Sequence, residues 1–327
     1  MTPFADNLLG WFALQKQRLP WRDLRTPYRV WVSETMLQQT QVGTVIPYFE
    51  RWLERFPTLA ALADAPLDDV LKAWEGLGYY RRARLLHSGA KRIVTDYGGK
   101  LPETYDELLQ LPGIGPYTAA AISSLAFGEA VLAVDGNVKR VASRLFCLPG
   151  VVTPRAAKEK LVPHFPPTRA GAFNEALMDL GRTRCTPRTP RCAACPVQDY
   201  CNAFQTGRVA AFPEVRTRKK VPHHYRFALV HRQADALWLR QRSEAEMLGG
   251  LWGFVLSDAA PAGRQLEPVQ HAYTHFKITA TPVLVAEPPA SGEWVKLSDV
   301  SAHALSTLDH KILAKIFAVP GAAETPP

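Results

Sequence analysis

Apolar residues recur at three- and four-residue spacing through most of the first 205 positions, over Val30–Phe56, Leu67–Tyr97, Tyr105–Leu111 and Tyr117–Phe127, with Pro and Gly breaking the runs. The pattern predicts an all-α region over 1–205. Gly207–Pro222 is basic, contains Pro213 and Pro222 and has no helical period, so 206–222 is expected to be a linker. Beyond it come short β-like runs: Tyr225–Arg232, Ala236–Arg242, Trp252–Leu256, His271–Val285 and Glu293–Leu297. A helix, Ser306–Phe317, closes the pattern. Residues 223–318 therefore read as a small α+β domain and 319–327 as a loose tail. No internal repeat is present.

With 327 residues, 47% of them hydrophobic and 21% charged, the chain has the composition of a soluble globular protein. Whole-chain disorder, collagen and coiled coil are excluded. Runs such as Val131–Val134 and Pro282–Ala286 are far shorter than the ~20 apolar residues of a membrane span. The first residues lack the basic and apolar regions of a secretory signal, which places the expected setting in a reducing cytoplasm. Lys and Arg number 39 against 30 Asp and Glu, and they cluster. Arg81, Arg82, Arg84, Lys91 and Arg92 form one run; Arg182, Arg184, Arg188 and Arg191 a second; Arg208, Arg216, Arg218, Lys219, Lys220 and Arg226 a third. Such runs suit a polyanion.

Four of the five cysteines, Cys185, Cys192, Cys195 and Cys201, lie within 17 residues, a spacing that points to a metal site. Four thiolates suit tetrahedral zinc and a four-iron four-sulfur cluster equally. Cys147 stands apart in an apolar stretch and is expected to be a buried thiol on a helix. Leu111–Thr118 carries Gly113 and Gly115 on either side of Ile114 between two helical patterns. Bare backbone amides there could approach a phosphate, as a helix-hairpin-helix does with a DNA backbone. Glu34 shares a helical face with Val30 and Leu37, where burial would raise its pKa as a general acid requires. Asp135 follows an apolar run at a turn. A neutral acid beside an ionised carboxylate is the pair that glycosidic chemistry uses.

Together, the Ser33–Thr40 segment around Glu34, Gly76-Leu77-Gly78-Tyr79-Tyr80, the Leu111–Tyr117 hairpin, Asp135-Gly136-Asn137 and the four-cysteine loop resemble the MutY-type adenine DNA glycosylases. These belong to the helix-hairpin-helix superfamily that includes endonuclease III. The resemblance implies a multidomain fold: an all-α glycosylase domain with an iron-sulfur loop, then a Nudix-like domain. In that scheme 22–133 form a helical barrel with the hairpin, and 1–21 with 134–205 form the cluster subdomain. It further implies one four-iron four-sulfur cluster in place of zinc, a monovalent cation at the hairpin, and double-stranded DNA with adenine opposite 8-oxoguanine as partner. A monomer acting at the nucleoid is expected, with the linker as a candidate contact for replication or repair proteins.

Carried over by position, Glu34 would protonate the adenine, Asp135 would stabilise or trap the sugar cation, and Asn137 would neighbour them. Tyr117 stands where strand-cleaving relatives carry a lysine, so no Schiff base can form and a monofunctional enzyme is implied. Trp21, Arg22 and Asp179 match the adenine pocket, and Gln38, Gln39 and Tyr79 match residues that wedge into the base stack. Tyr273, Thr274 and His275 match the lesion-sensing loop, which in the family usually reads Phe-Ser-His. The acidic magnesium-binding helix of a Nudix hydrolase does not follow Gly249-Gly250-Leu251-Trp252, so nucleotide hydrolysis is not expected. The alternatives are a thymine or uracil mismatch glycosylase of the same superfamily and a non-catalytic damage-binding protein.

Overall fold

The computed structural model describes residues 2–15, 18–214 and 220–318. Arg216, Arg218 and Lys219 of the expected linker, and the expected tail 319–327, lie outside the described residues. Packing divides the chain into two compact units, 1–63 with 88–218 and 64–87 with 219–327. The second unit thus includes 24 residues from inside the stretch that reads as uninterrupted helical sequence. No helix among the described residues is long and apolar enough to cross a membrane.

The described part of the first unit is helical. Three of its helices begin at Thr-Pro pairs, for one physical reason: proline has no N–H to lose at the first helical position, and the threonine hydroxyl accepts a hydrogen bond from an otherwise unpaired amide. Thr2 caps Pro3–Ala13 through Ala5 N, Thr26 caps Pro27–Leu37 through Arg29 N, and Thr153 caps Pro154–Leu161 through Ala156 N. Phe4, Leu8, Val138, Val141, Phe173 and Leu177 belong to one core, to which Pro3–Ala13 and Pro154–Leu161 contribute.

The predicted helix over Val30–Phe56 is two helices, Pro27–Leu37 and Val42–Arg55, separated where Gln39 takes a positive φ of 63°. The pattern over Leu67–Tyr97 likewise splits into Leu67–Trp74 and Arg81–Tyr97. Cys147 is not on a helix. It follows Gly136–Leu145 in a left-handed turn, φ 48°, and is half-buried. There the Leu148 amide reaches back to Ser143 O at 3.0 Å and closes the helix end.

In the second unit His223–Val230 pairs in parallel with Lys277–Leu284 and antiparallel with Val255–Ser257. A second sheet joins Arg232–Gln233, Ala236–Gln241, Trp252–Gly253 and Glu293–Lys296. The expected strand Trp252–Leu256 changes sheet at Phe254, which is buried. The expected strand His271–Val285 is a hairpin: Val269–Ala272 pairs antiparallel with Lys277–Leu284, and Tyr273 N donates to Phe276 O at 2.9 Å across the turn. Tyr273, Thr274 and His275 therefore occupy a hairpin tip. Helix Thr307–Phe317 packs Ile312 and Ile316 onto the same core as Ala228, Leu237 and Ile278. Helix Leu67–Trp74 belongs to this unit, with Val70, Leu71 and Trp74 buried and Asp68 accepting from Gln241 Nε2 at 2.7 Å.

Candidate active site

Helix Pro27–Leu37 is buried over Val30–Met36, so the carboxyl of Glu34 sits in protein, 5% exposed. Its Oε2 accepts from the Tyr117 hydroxyl at 2.6 Å. Burial pushes the Glu34 pKa up to about 7; the Tyr117 bond draws it down, and the charges of Glu175 and Asp135 push it further up. Tyr117 opens helix Pro116–Ala126 directly after the hairpin, and its hydroxyl also lies 3.0 Å from Met178 Sδ. Burial, with the charges of Glu34 and Asp135, holds that phenol neutral, well above its ordinary pKa. The arrangement supplies an acid that is about half protonated near neutral pH, with a fixed donor keeping its carboxyl in place.

Asp135 is the N-cap of helix Gly136–Leu145. Oδ1 accepts from Val138 N at 2.7 Å and Oδ2 from Asn137 Nδ2 at 2.8 Å. Burial raises its pKa, against the pull of these donors. Asn137 Oδ1 accepts from Arg140, which also donates to Gly181 O at 2.7 Å and Cys185 O at 2.8 Å. A hydrogen-bonded path thus runs from Asp135 to the backbone of the first cluster cysteine.

Helix Ala170–Thr183 carries most of what the sequence reading missed. Asn174, fully buried, accepts from Ala133 N at 3.0 Å and donates to Val131 O at 2.9 Å and Ser124 Oγ at 2.8 Å. It fixes the extended chain that delivers Asp135. Glu175 pairs with Arg22 at 3.1 Å and Arg25 at 2.8 Å. Asp179 pairs with Arg22 at 2.8 Å and Arg182 at 2.9 Å, so its carboxylate is already committed. Gly181 lets this helix touch Gly136–Leu145: a Cβ there would stand 2.6 Å from Asn137 Cβ. The readable signal was polar Asn174, Glu175 and Asp179 at helical spacing among apolar neighbours. Trp21 is buried edge-on against Phe49, their ring centroids 5.5 Å apart, while Arg22 lies 5.3 Å over Phe12.

In the hairpin, Gly113 has φ 77°, a conformation that disfavours any other residue, and both Gly113 and Gly115 are exposed while Ile114 is buried as the anchor. Gln38 donates to Thr118 Oγ1 at 3.1 Å and Gln39 is exposed. In the second unit Tyr79 is exposed at φ 50°, and its hydroxyl shares a hydrogen bond with Thr274 Oγ1. Thr274 and His275 are exposed. Tyr273 turns inward, its ring 4.8 Å from Phe276 and its hydroxyl pushed up to about 12 by burial.

Cys185, Cys192, Cys195 and Cys201 line one cavity together with Arg144. Among the described residues no three metal-ligating side chains converge as one ion would require. Four sulfurs lining one cavity are the donor set that a four-iron four-sulfur cluster would use. Burial pushes the bare Cys195 thiol up to about 11, and the guanidinium of Arg144, 3.3 Å from Cys185 Sγ, partly compensates for ligand charge. When bound, such a cluster ties four points of the loop and so fixes the arginines it carries.

Comparison with known proteins agrees with this geometry. Residues 32–167 match the HhH-GPD superfamily of base excision DNA repair proteins, 185–201 the iron-sulfur binding domain of endonuclease III, and 226–315 the NUDIX domain. The chain is 34% identical to the adenine DNA glycosylase of Mus musculus, over 95% of this chain and 77% of that one. It is 32% identical to that of Buchnera aphidicola, over 86% and 87%. The chain belongs to the adenine DNA glycosylase family.

As a family member it is a base-excision repair glycosylase that hydrolyses N-glycosyl bonds, with DNA as partner and a four-iron four-sulfur cluster as cofactor. The expected architecture, a helical glycosylase part followed by a Nudix-like part, is what the family matches and the strand content show. A solved thermostable thymine-DNA glycosylase resembles the chain with TM-score 0.57 and 29% identity, over 62% of this chain and 95% of that one. A non-covalent endonuclease III–DNA complex, TM-score 0.55 and 24% identity over 62% and 94%, shares the fold.

Proposed function

We propose that the enzyme removes adenine mispaired with 8-oxoguanine or guanine from duplex DNA and leaves an abasic site without cutting the strand. The observation that carries this reading is the buried Glu34 carboxyl, poised near neutrality and held by Tyr117. Purines leave best after ring protonation, which needs such an acid. The adenine, flipped from the stack, takes the Glu34 proton at a ring nitrogen. The bonding pair of the N-glycosidic bond then leaves with the neutral base. Asp135, held in place by Val138 N and Asn137, meets the resulting oxocarbenium centre. The Glu34 carboxylate accepts a proton from the water that adds to the sugar. Tyr117 offers no amine, so no imine forms and strand cleavage awaits alkali.

In this reading Trp21, Arg22 and Asp179 frame the adenine, with Glu175 added to that group because it shares Arg22. Gln38, Gln39 and Tyr79 enter the stack, and Gly113, Ile114 and Gly115 hold a phosphate with a monovalent cation at the hairpin. Thr274 and His275 read the base opposite, for which 8-oxoguanine offers an N7–H where guanine has only a lone pair; Tyr273 braces their turn. The division of labour follows 1–205 and 223–318, with 206–222 between them. The enzyme works as a monomer in the cytoplasm at the nucleoid, and its linker is the surface for replication or repair proteins.

The likeness to a thymine-DNA glycosylase favours a second reading, mismatched thymine or uracil as substrate, over the helical part alone. Single-turnover cleavage separates the two. Duplexes with adenine opposite 8-oxoguanine, adenine opposite guanine, guanine opposite thymine and guanine opposite uracil are compared with and without alkali. The expected result is adenine release, fastest opposite 8-oxoguanine, with breaks only after alkali; thymine or uracil release would transfer the assignment to the second reading.

A further inference from the structure

The segment Gly76–Tyr80 carries the exposed Tyr79 at φ 50°, a left-handed conformation that a non-glycine residue keeps only when its surroundings over-determine it. Several groups do so. Trp74 Nε1 donates to Gly78 O at 3.1 Å, Arg82 Nη2 donates to Leu77 O at 3.3 Å and Gly78 O at 3.1 Å, and Gly76 N donates to Tyr80 Oη at 3.2 Å. These contacts are local to the loop. Two residues tie the loop to the far end of the chain: Tyr80, whose hydroxyl donates to Leu305 O at 3.4 Å, and Glu75, where helix Leu67–Trp74 stops.

Oε1 of Glu75 accepts from Leu305 N at 2.8 Å and from His310 Nε2 at 2.8 Å, and Oε2 pairs with Lys72. Lys72 Nζ in turn donates to His303 O at 3.1 Å. The Glu75 side chain is 18% exposed, so the pair is sheltered from the screening that makes surface ion pairs weak. Burial alone would raise its pKa, but His310, Lys72 and the Leu305 amide overcome that and hold it below the usual carboxylate range. Four residues later the Tyr79 hydroxyl meets Thr274 at the hairpin tip. Glu75 thus secures one end of a loop whose other exposed contact is the tip that reads the opposite base.

We infer that Glu75 is a positioning residue: by clamping Gly76–Tyr80 to Leu305 and His310 it sets Tyr79 against Thr274, and so sets the discrimination between 8-oxoguanine and guanine opposite the excised base. The inference rests on the lesion reading proposed above. A role in general folding would lower activity on every substrate together. A positioning role falls on the discrimination alone.

The test is single-turnover adenine release opposite 8-oxoguanine and opposite guanine for wild type, Glu75→Ala, Glu75→Gln and Asp68→Ala. Asp68 ties the same helix to Gln241, away from the loop. Glu75→Ala is expected to lower the ratio of the two rates about tenfold, the scale of one lost polar contact, with release opposite guanine unchanged. Glu75→Gln, which keeps an acceptor for the Leu305 amide, restores most of the ratio, and Asp68→Ala leaves it at the wild-type value. A wild-type preference that survives Glu75→Ala within twofold overturns this inference alone, as does an equal fall on both substrates accompanied by a lowered melting temperature. Should Glu75→Ala not fold, an unchanged ratio in Glu75→Asp, whose shorter side chain cannot keep all three partners, overturns it equally. A wild type with no preference overturns the lesion reading and this inference together.

Discussion

The Tyr117 hydroxyl donates to Glu34 Oε2 at 2.6 Å, so a buried phenol tunes the buried carboxyl. Burial, with the charges of Glu175 and Asp135, pushes the Glu34 pKa up to about 7 against the downward pull of this bond and of Arg22. Base release should therefore be fastest below neutrality and fall as pH rises through about 7 and Glu34 loses its proton. In Tyr117→Phe the downward pull is gone and the descending limb should move to higher pH. Single-turnover rates across the pH range measure both; a limb that stays in place or moves to lower pH contradicts the assignment.

The same carboxyl imposes a cost on the fold. Its folded pKa of about 7 lies above the ordinary 4.5, so between these values the folded state holds the extra proton and stability declines as pH rises. The relative stability is complete below the unfolded value and lost on passing the folded one. Glu34→Gln keeps an acceptor for Tyr117 and carries no charge. It should melt higher than wild type at pH 8, by an amount on the order of 1–3 kcal/mol, with the difference shrinking toward pH 5. Thermal melts at several pH values provide the check, and a variant less stable at pH 8 would refute the burial argument.

How far the sequence carried depended on whether a signal was local. The Thr-Pro helix starts, the Gly113 turn and the four cysteines are short-range features, each readable from chemistry confined to a few residues. Glu34 was readable because its helical face is apolar. For Glu175 and Asn174 only a polar character at helical spacing was readable, since their partners, Arg22 and Ala133, are 153 and 41 residues away and only folding brings them into reach. The breaks at Gln39 and at Tyr273–Phe276 escaped for a different reason. Neither carries a glycine or proline to mark it, and both are imposed by tertiary context on residues that favour regular structure. The grouping of 64–87 with the C-terminal residues has no local signature either; the helical period is the same whichever core the helix faces.

Asn174, fully buried, holds the chain ahead of Asp135 through two hydrogen bonds, to Ala133 N and Val131 O, and is itself anchored by a third to Ser124 Oγ. Asn174→Ala should leave the Ala133 amide and Val131 carbonyl unpaired, costing about 3 kcal/mol of stability. Because Asp135 then loses its register, the rate of the chemical step should fall about a hundredfold while affinity for duplex DNA stays near wild type. Denaturant melts, single-turnover rates and DNA titrations together test this. A loss of affinity with an unchanged chemical step would mean that Asn174 serves the DNA surface and not Asp135.

Arg144 is buried, and its guanidinium donates to Phe212 O at 2.8 Å, Thr186 O at 2.8 Å, Pro187 O at 3.1 Å and Cys185 Sγ at 3.3 Å. One planar cation thus fixes the backbone around the first cluster ligand and lowers the cost of thiolate charge, a task that the single ammonium of lysine cannot cover. Arg144→Lys should lose iron to a chelator about 10–100-fold faster, the usual effect of removing a partner just outside the ligands. The loss is followed by visible absorbance relative to protein absorbance. As the cluster leaves, the loop arginines lose their fixed positions, and DNA affinity should fall in step with iron content. Retained affinity in iron-depleted protein would show that the arginines are held by the protein backbone alone and that the cluster serves some other purpose.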